Sequence, residues 1–420
     1  MSRSDAQPTE PYKGVRDFYP EEWSVLANVF ETLRKTLHRW SYEEYNASPL
    51  ERAELYESKT SEEIVSEQTY TFEDRGGRRV TLRPEMTPTF ARMLSAKRRE
   101  VPFPVRWFSI PNVFRYERPQ RGRLREHYQL NVDLAGIPGS EADIEIVAIA
   151  SSLLKSFGAT EKDFVMRISS RELLTKACES ANISEEDTRS YIRLLDRKNK
   201  MTPEEFRAGV SALADIDPLA LIEANDPKIS EAKSALMEVI ETLAKRGVTN
   251  VVFDPTITRG FDYYTGMVFE VFDTDVSNPR SLFGGGRYDG LVTLFGGDPV
   301  PCVGFGMGDV TLMDFLETHG LTPNVQTEAT LYVGTPSIED IAEAQLFANE
   351  LRAQGISVLV HVSGKGLGDQ IKDALKRNVP YFIAYGSNEA NSASVTIKKL
   401  AENSEESVSK ETLANHLLTN

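Results

Sequence analysis

The sequence contains no apolar stretch approaching the roughly 20 residues that a membrane span requires. Its polar opening, MSRSDAQPTEPYKG, lacks the hydrophobic segment of a secretory signal. A soluble, cytoplasmic protein with no membrane partner is the expectation. Cysteine is scarce: Cys178 and Cys302 are the only two, far apart and with no Cys or His nearby at metal-ligand spacing. Buried thiols are expected, with no zinc site and no metal held by protein side chains. Positive charge is in deficit, 48 Lys and Arg against 63 Asp and Glu for a net charge of -15. That balance argues against a protein that coats nucleic acid, although it leaves room for a local basic site.

What is present is an ordinary globular balance, 40% hydrophobic and 26% charged residues over 420 positions. This length exceeds what one hydrophobic core usually serves, so two or three domains are expected. There is no internal repeat and no low-complexity tract. A local basic site is visible where Arg115, Arg118, Arg121, Arg123 and Arg125 crowd one segment with only Glu117 and Glu126 to offset them.

Periodicity divides the chain. Trp23, Leu26, Val29, Phe30, Leu33 and Leu37 recur at helical spacing over residues 21 to 39, predicting an amphipathic helix. Gln68–Glu73, Arg79–Leu82, Val105–Ile110 and Tyr128–Leu134 alternate or cluster between Gly and Pro signals and read as strands of one antiparallel sheet. Helical periodicity returns over 141–157, and a polar, Glu/Ala/Leu/Lys-rich region of about 170–247 reads as a broken helical insertion. Strands resume at Val251–Phe253 and Met267–Phe272, followed by Phe283-Gly-Gly-Gly-Arg-Tyr-Asp-Gly as a loop and the segment Cys302–Met307. Gly320 and Pro323 sit in an aperiodic stretch, which places a boundary near residue 325 and domains at 1–325 and 326–420. Beyond it, strands at Leu331–Val333, Val358–Val362 and Tyr381–Tyr385 alternate with helices near 338–353 and 366–378, the grammar of a small α/β domain. A strand at Ser394–Lys399 and a terminal helix complete it.

The most informative segment is Asn112–Gly136, two apolar strands flanking an Arg-rich turn with Pro119 and Gly122. Such a hairpin holds side chains rigidly over a sheet. Arg115 is a planar fork suited to bidentate contact with phosphate or carboxylate. Phe-Arg-Tyr-Glu (114–117), followed after the loop by His-Tyr-Gln (127–129), resembles motif 2 of the class II aminoacyl-tRNA synthetases. Thr258-Arg-Gly-Phe-Asp-Tyr-Tyr264 and Phe283-Gly-Gly-Gly-Arg-Tyr-Asp-Gly-Leu291 resemble the two signatures of the histidyl-tRNA synthetase family. The resemblance covers nearly the whole chain, from Lys13-Gly-Val-Arg-Asp17 through Pro49, similar to the motif 1 proline at a dimer interface, to a C-terminal region like a class IIa anticodon-binding domain.

The resemblance implies an α+β architecture: an antiparallel-sheet catalytic domain with a helical insertion, plus a C-terminal α/β anticodon-binding domain. It implies a homodimer that activates L-histidine with ATP and Mg2+ and transfers it to the 3' end of tRNA(His). Arg259 and Arg115 are then the catalytic cations. Glu85, Met86, Thr87, Arg115, Gln129, Asp133, Arg259, Tyr263 and Tyr264 would bind histidine, with Glu85, Thr87 and Gln129 on the α-amino group and Asp133 and Tyr264 on the imidazole. Arg115, Glu117, Arg123 and His127 would bind ATP, and Arg118, Gln120 and Arg121 the acceptor end of the tRNA.

Two positions depart from the pattern. Thr311 stands where motif 3 ends in an arginine, and no Lys or Arg occurs between Arg287 and Arg352 to substitute one turn away. Arg123 and magnesium would have to carry more of the phosphate load. His127 replaces a phenylalanine that stacks on adenine, a task an imidazole also performs. The missing arginine raises an alternative: a non-charging paralogue serving as the histidine-sensing regulatory subunit of ATP phosphoribosyltransferase. A third reading is an RNA-binding scaffold with neither activity. The retained motif 2, the Arg259 signature and the C-terminal domain favour the synthetase over both.

Overall fold

In the computed structural model, residues 8–57, 68–118, 120, 122–259, 263–324 and 328–419 are described. Two compact units emerge, Met1–Pro323 and Asn324–Asn420.

The first unit is organised by a nine-stranded sheet. Its path runs through β1 (Glu43–Glu44), β5 (Val105–Ser109), β7 (Glu126–Ala135), β12 (Cys302–Gly308), β11 (Ser281–Arg287), β10 (Met267–Asp273), β8 (Phe164–Ser170) and β9 (Val251–Phe253), with β6 (Asn112–Phe114) pairing to β7 off the path. All pairings are antiparallel except β1 with β5 and β8 with β9. Strands from the first third of the chain thus meet strands from residues 267–308 at the β7–β12 seam, where Gly304 faces Asp133 and Gly306 faces Asn131.

Two sequence expectations are corrected here. The segments near 70 and 80 do not join the large sheet; β3 (Tyr70–Glu73) and β4 (Arg79–Leu82) form a separate three-stranded sheet with β2 (Leu50–Arg52). Alternation marks a strand but carries no information about its partner. The stretch Phe283–Arg287, expected as a loop, is strand β11. Its glycines lie in the middle of the sheet because a side chain does not fit: a Cβ on Gly284 or Gly285 would collide with the carbonyl oxygen of Phe269 or Gly304 on the neighbouring strands.

The core lies between this sheet and the helices that cover it. Pro20–Arg39 buries Leu26, Val29, Phe30, Leu33 and Leu37, while Trp23 at the start of the stripe stays half-exposed against Phe18 and Phe30. Ser140–Lys155 packs across the seam with Ile146, Val147, Ile149 and Leu153 fully buried. The region 170–247 is helical, with helices Arg171–Ser180, Glu185–Asp196, Pro203–Ser211, Pro218–Glu223 and Ser230–Lys245. It shares the main core rather than standing apart, through buried Leu173, Leu236 and Leu243. Caps punctuate it, as where the Ser184 and Thr202 hydroxyls accept the backbone N–H groups of Asp187 and Glu205.

In the second unit, β13 (Leu331–Gly334) lies parallel between β14 (Val358–Val360) and β15 (Tyr381–Ala384). The strand β16 (Ser394–Lys399) runs antiparallel to β15 and β17 (Ser404–Ser409) antiparallel to β16. The polar sequence SEESVS of β17 gave no strand signal, because an edge strand exposed along most of its length needs no apolar face.

One buried ion pair holds the helix Ser140–Lys155 to the sheet. The Arg287 guanidinium contacts Asp143 at 2.9 Å and donates to the carbonyls of Ile137 and Gly139 at 3.2 and 2.9 Å. Burial pushes the Asp143 carboxyl up to about 6, against the opposing pull of Arg287. Arg287→Ala is expected to cost on the order of 3–5 kcal/mol at pH 7.5, because it strands a buried carboxylate. Burial raises this carboxyl and Arg287 lowers it, so without Arg287 it takes up a proton at a higher pH than the wild type's value of about 6, and the penalty shrinks as pH falls toward that value. Denaturant titrations at pH 7.5 and 5.5 check both parts, and a loss below about 1 kcal/mol at the higher pH would contradict the assignment.

Candidate active site

The exposed face of the β7–β12–β11 seam carries two adjoining cavities. A small, polar one of about 100 Å³ is lined by Glu85, Thr87, Arg115, Gln129, Asn131, Arg259, Tyr263, Tyr264, Gly284, Tyr288, Gly304, Phe305 and Gly306. A larger one of about 800 Å³ shares Arg115, Gln129, Arg259 and Gly306 with it.

The floor follows from strand alternation. In β12, Val303, Phe305 and Met307 belong to the core, while Gly304, Gly306 and Gly308 fall on the other face at spacing two. A Cβ on Gly306 would press on the Gln129 amide at 3.1 Å, and one on Gly304 would collide with the Asp133 carboxylate. In β7, Leu130, Val132 and Leu134 likewise enter the core and leave Gln129, Asn131 and Asp133 on the cavity side. Any ligand here rests on backbone, with polar side chains rising around it.

Motif 2 is the antiparallel pair of β6 and β7, with Val113 facing His127. Its loop is pinned at the base where the Arg115 N–H donates to the Arg125 carbonyl at 2.9 Å. The Arg115 Nε donates to the Pro84 carbonyl at 2.8 Å, which fixes the guanidinium at the junction of the two cavities. Glu117 faces Arg123 at 3.4 Å. Burial, together with Arg115 and Arg16, drives the His127 pKa down to about 3, so its ring is neutral at physiological pH.

On the opposite wall stands Arg259, a non-glycine residue held at φ +56°. Its guanidinium donates to Glu270 at 2.9 Å and to the Gly284 carbonyl at 3.0 Å, and among the described residues its buried Nε has no partner. Burial opposes its charge, but Glu270 together with Tyr264 and Tyr263 outweighs that, and its pKa stays above the ordinary arginine value. The Arg259 carbonyl in turn accepts from Arg171 at 2.6 Å, which ties the helical insertion to this loop.

Glu85, Met86 and Thr87 open the helix Thr87–Lys97. The buried Glu85 carboxylate accepts from the Tyr263 hydroxyl at 3.1 Å, and Tyr263 packs on Tyr264 and Tyr288 at 4.8 and 5.8 Å between ring centroids. Met86 is fully buried and does not line the pocket; it packs the helix start instead. Asp133 is buried on the same face, its carboxylate occupying the space over Gly304, and it lines neither cavity. One carboxylate oxygen accepts from the Tyr288 hydroxyl, and the other is buried without a partner among the described residues. Burial pushes its carboxyl up to about 7, partly countered by Tyr288.

Of the remaining sequence candidates, Gln120 and Arg123 line the larger cavity and Arg118 is exposed outside it. Arg121 lies outside the described residues, as do Pro119 and the signature residues Gly260, Phe261 and Asp262. Arg125 is engaged elsewhere, with the Tyr12 hydroxyl at 2.9 Å and stacked on Tyr116 at 4.1 Å. The structure adds Asn131, Tyr288, Glu270, Arg167, Arg280, Lys198 and Lys200 to the two linings. Asn131 was detectable, since it shares the spacing of Gln129 and Asp133. Lys198 and Lys200, from the insertion, gave no local signal. Among the described residues the larger cavity thus carries seven cations, Arg115, Arg123, Arg167, Lys198, Lys200, Arg259 and Arg280, against the carboxylates Glu117, Asp196 and Glu270. An acidic protein concentrates positive charge here, in a space sized for a polyanion. Among the described residues no cluster of three or more His, Cys, Asp or Glu could hold a metal ion, and no helix is long and apolar enough to cross a membrane.

Comparison with known proteins agrees with this geometry. The family model of histidyl-tRNA synthetase matches residues 14–310, and that of the anticodon binding domain matches residues 330–420. A histidine–tRNA ligase of Leptospira biflexa is 42% identical over 94% of this chain and 93% of its own length. One from Natronomonas pharaonis is 39% identical over 93% of each. In fold, the chain is similar to the crystal structure of histidyl-tRNA synthetase from Nostoc sp. PCC 7120, with TM-score 0.78, 23% identity and coverage of 98% and 99% of the two chains. With its catalytic and anticodon-binding regions both matched and its relatives aligned over nearly their full length, this chain belongs to the histidyl-tRNA synthetase family.

Proposed function

We propose that the two cavities carry out the histidine–tRNA ligase reaction, with histidine in the small pocket, ATP in the larger one and their reacting groups meeting between Arg115 and Arg259. The observation that supports this most directly is that both guanidiniums line both cavities. A histidine carboxylate oxygen attacks the α-phosphorus there, the bond to the β-phosphate oxygen breaks, and pyrophosphate leaves. The ribose hydroxyl at the tRNA 3' end then attacks the carbonyl carbon of the adenylate, and AMP is released. Such chemistry is governed by positioning and by fixed charge at the developing anion.

The residues divide the work by chemistry. Glu85, Thr87 and Gln129 suit the α-ammonium, and Tyr263 holds Glu85 in place. Asp133 and Tyr264 suit the imidazole, and the Asp133 oxygen that has no partner among the described residues is an acceptor for its N–H. Glu117 suits the adenine amino group, and the neutral His127 ring offers it a face. Arg118, Gln120 and Arg121 remain the assignment for the tRNA acceptor end. Mg2+ travels with the ATP phosphates; because Glu117 and Glu270 face Arg123 and Arg259, it is expected to arrive with its nucleotide, screening phosphate charge. We place the protein in the cytoplasm as a homodimer whose contact includes Pro49 and Leu50, both exposed here.

Histidine-dependent ATP–pyrophosphate exchange tests the reading. Exchange with histidine and with no other amino acid is the expected result, whereas histidine binding without exchange would move the assignment to the regulatory paralogue. Arg259→His should reduce exchange by about 100-fold or more while the melting temperature stays within a few degrees, the scale of losing a transition-state contact. Normal exchange by that variant would remove Arg259 from catalysis.

Asp133 provides a pH test. A carboxyl raised to about 7 is neutral below that pH and a carboxylate above it. Histidine affinity, measured by calorimetry, should therefore rise between pH 6 and 8 more steeply in the wild type than in Asp133→Asn. The ligand's own imidazole titrates in both proteins, so the difference between the two profiles isolates Asp133. Parallel profiles would exclude it from imidazole recognition.

A further inference from the structure

Residues 14–18 line neither cavity, yet they meet the second arm of the motif 2 hairpin at two points. The Gly14 carbonyl accepts the Arg125 N–H at 2.7 Å, and the Phe18 and Tyr128 rings pack with centroids 6.4 Å apart. Between these contacts lies Arg16. Its guanidinium stacks on Phe18 at 4.7 Å, and its Nη2 donates to an Asp309 carboxylate oxygen at 2.7 Å. The other Asp309 oxygen accepts the backbone N–H of Tyr128 at 3.1 Å.

That carboxylate stands where the β7–β12 ladder stops. The last pair is Gly308 opposite Gln129, and one residue further the Asp309 side chain takes the Tyr128 N–H in place of a strand carbonyl. The next residue along β7 is His127, whose ring occupies the space over Gly308: a Cβ there would meet its Cδ2 at 3.5 Å. Asp309 is 3% exposed, and a carboxylate so buried needs a cation. Burial raises its carboxyl, and Arg16 pulls it back, with the Tyr128 and Val310 N–H groups assisting. Among the described residues no second cation pairs with it. Gln129, by contrast, is held without Arg16, through the ladder and through its N–H, which donates to the Pro111 carbonyl at 2.9 Å.

We infer that Arg16 is a positioning residue for the nucleotide: by holding Asp309 against the end of β7, it sets the His127 face that receives the purine of ATP, without touching ATP itself. The inference rests on the nucleotide-site reading of the larger cavity. Without Arg16, the Asp309 carboxylate is left buried and unpaired, and it either takes up a proton or moves toward water. In both cases the Tyr128 N–H loses its charged acceptor and His127 its anchor. The histidine pocket keeps Gln129, so the effect falls on one substrate.

The test is ATP–pyrophosphate exchange by the full-length protein, with KM measured for ATP at saturating histidine and for histidine at saturating ATP. Arg16→Ala should raise the KM for ATP on the order of tenfold, the scale of one lost charge-assisted contact, and leave that for histidine within about twofold. Arg16→Lys keeps a cation beside Asp309 and should recover most of the ATP KM. The double variant Arg16→Ala with Asp309→Ala strands no buried charge, so it keeps the test open if the single variant folds poorly. It should show the same ATP-selective rise as either single variant, because the pair acts as one unit. Equal rises in both KM values would overturn the assignment by reducing Arg16 to a stability contact. No rise for ATP, or effects of the two substitutions that simply add, would overturn it as well. Wild-type protein without exchange would overturn the nucleotide-site reading itself, a result distinct from these.

Discussion

The active face depends on backbone being left bare at the centre of the sheet. At Gly284, Gly285, Gly304 and Gly306 a Cβ would meet a neighbouring carbonyl oxygen or a catalytic-face side chain. Such strands gain little from β-propensity and carry the full entropy cost of ordering glycine. Their stability comes from elsewhere: β11 and β12 pair with each other over residues 283–287 and 303–307 and are flanked by β10 and β7, and Val303, Phe305 and Met307 anchor the reverse face in the core. The absence of side chains lets a small ligand lie on the sheet while Gln129, Asp133 and Glu270 approach it from the flanks.

That floor makes the charged groups usable. Arg259 is held at a left-handed backbone position by contacts on three sides, to Glu270, to Gly284 and through its own carbonyl to Arg171. Arg115 is fixed by Pro84. Both cations line both cavities, and these contacts set their geometry in advance; under the proposed reaction, little reorganisation would then remain for the transition state. The cost, among the described residues, is a set of buried polar atoms short of partners, Asp133 Oδ2 and Arg259 Nε among them. Arg259 borders the small pocket, and Asp133 sits against Gly304 of its lining.

The helical insertion joins this arrangement. It shares the main core, contacts the signature loop through Arg171 and through Asp196, which accepts from Thr258, and brings Lys198 and Lys200 to the cavity rim. Its polarity made it look separate in sequence. In the structure its apolar residues complete the packing under β8 and β10, and its cations complete the field of the site.

The sequence by itself determined the family, the helix and most strand positions, and nearly every residue in the two linings that belongs to a local motif: Arg115, Glu117, His127 and Gln129 on one hairpin, Arg259, Tyr263 and Tyr264 on one loop. These are legible because their spacing is set by a local period or a short signature. Tertiary structure alone decided what depends on contact between distant segments. It turned the Gly284–Gly286 run into a strand, sent β3 and β4 to a sheet of their own, buried Met86 in the core and Asp133 against Gly304, and brought Arg280 and Thr311 to the lining of one cavity although 30 residues separate them in the chain. The physical reason is that a residue's type and period fix the face it occupies, whereas strand pairing and burial against remote parts of the chain fix what that face meets.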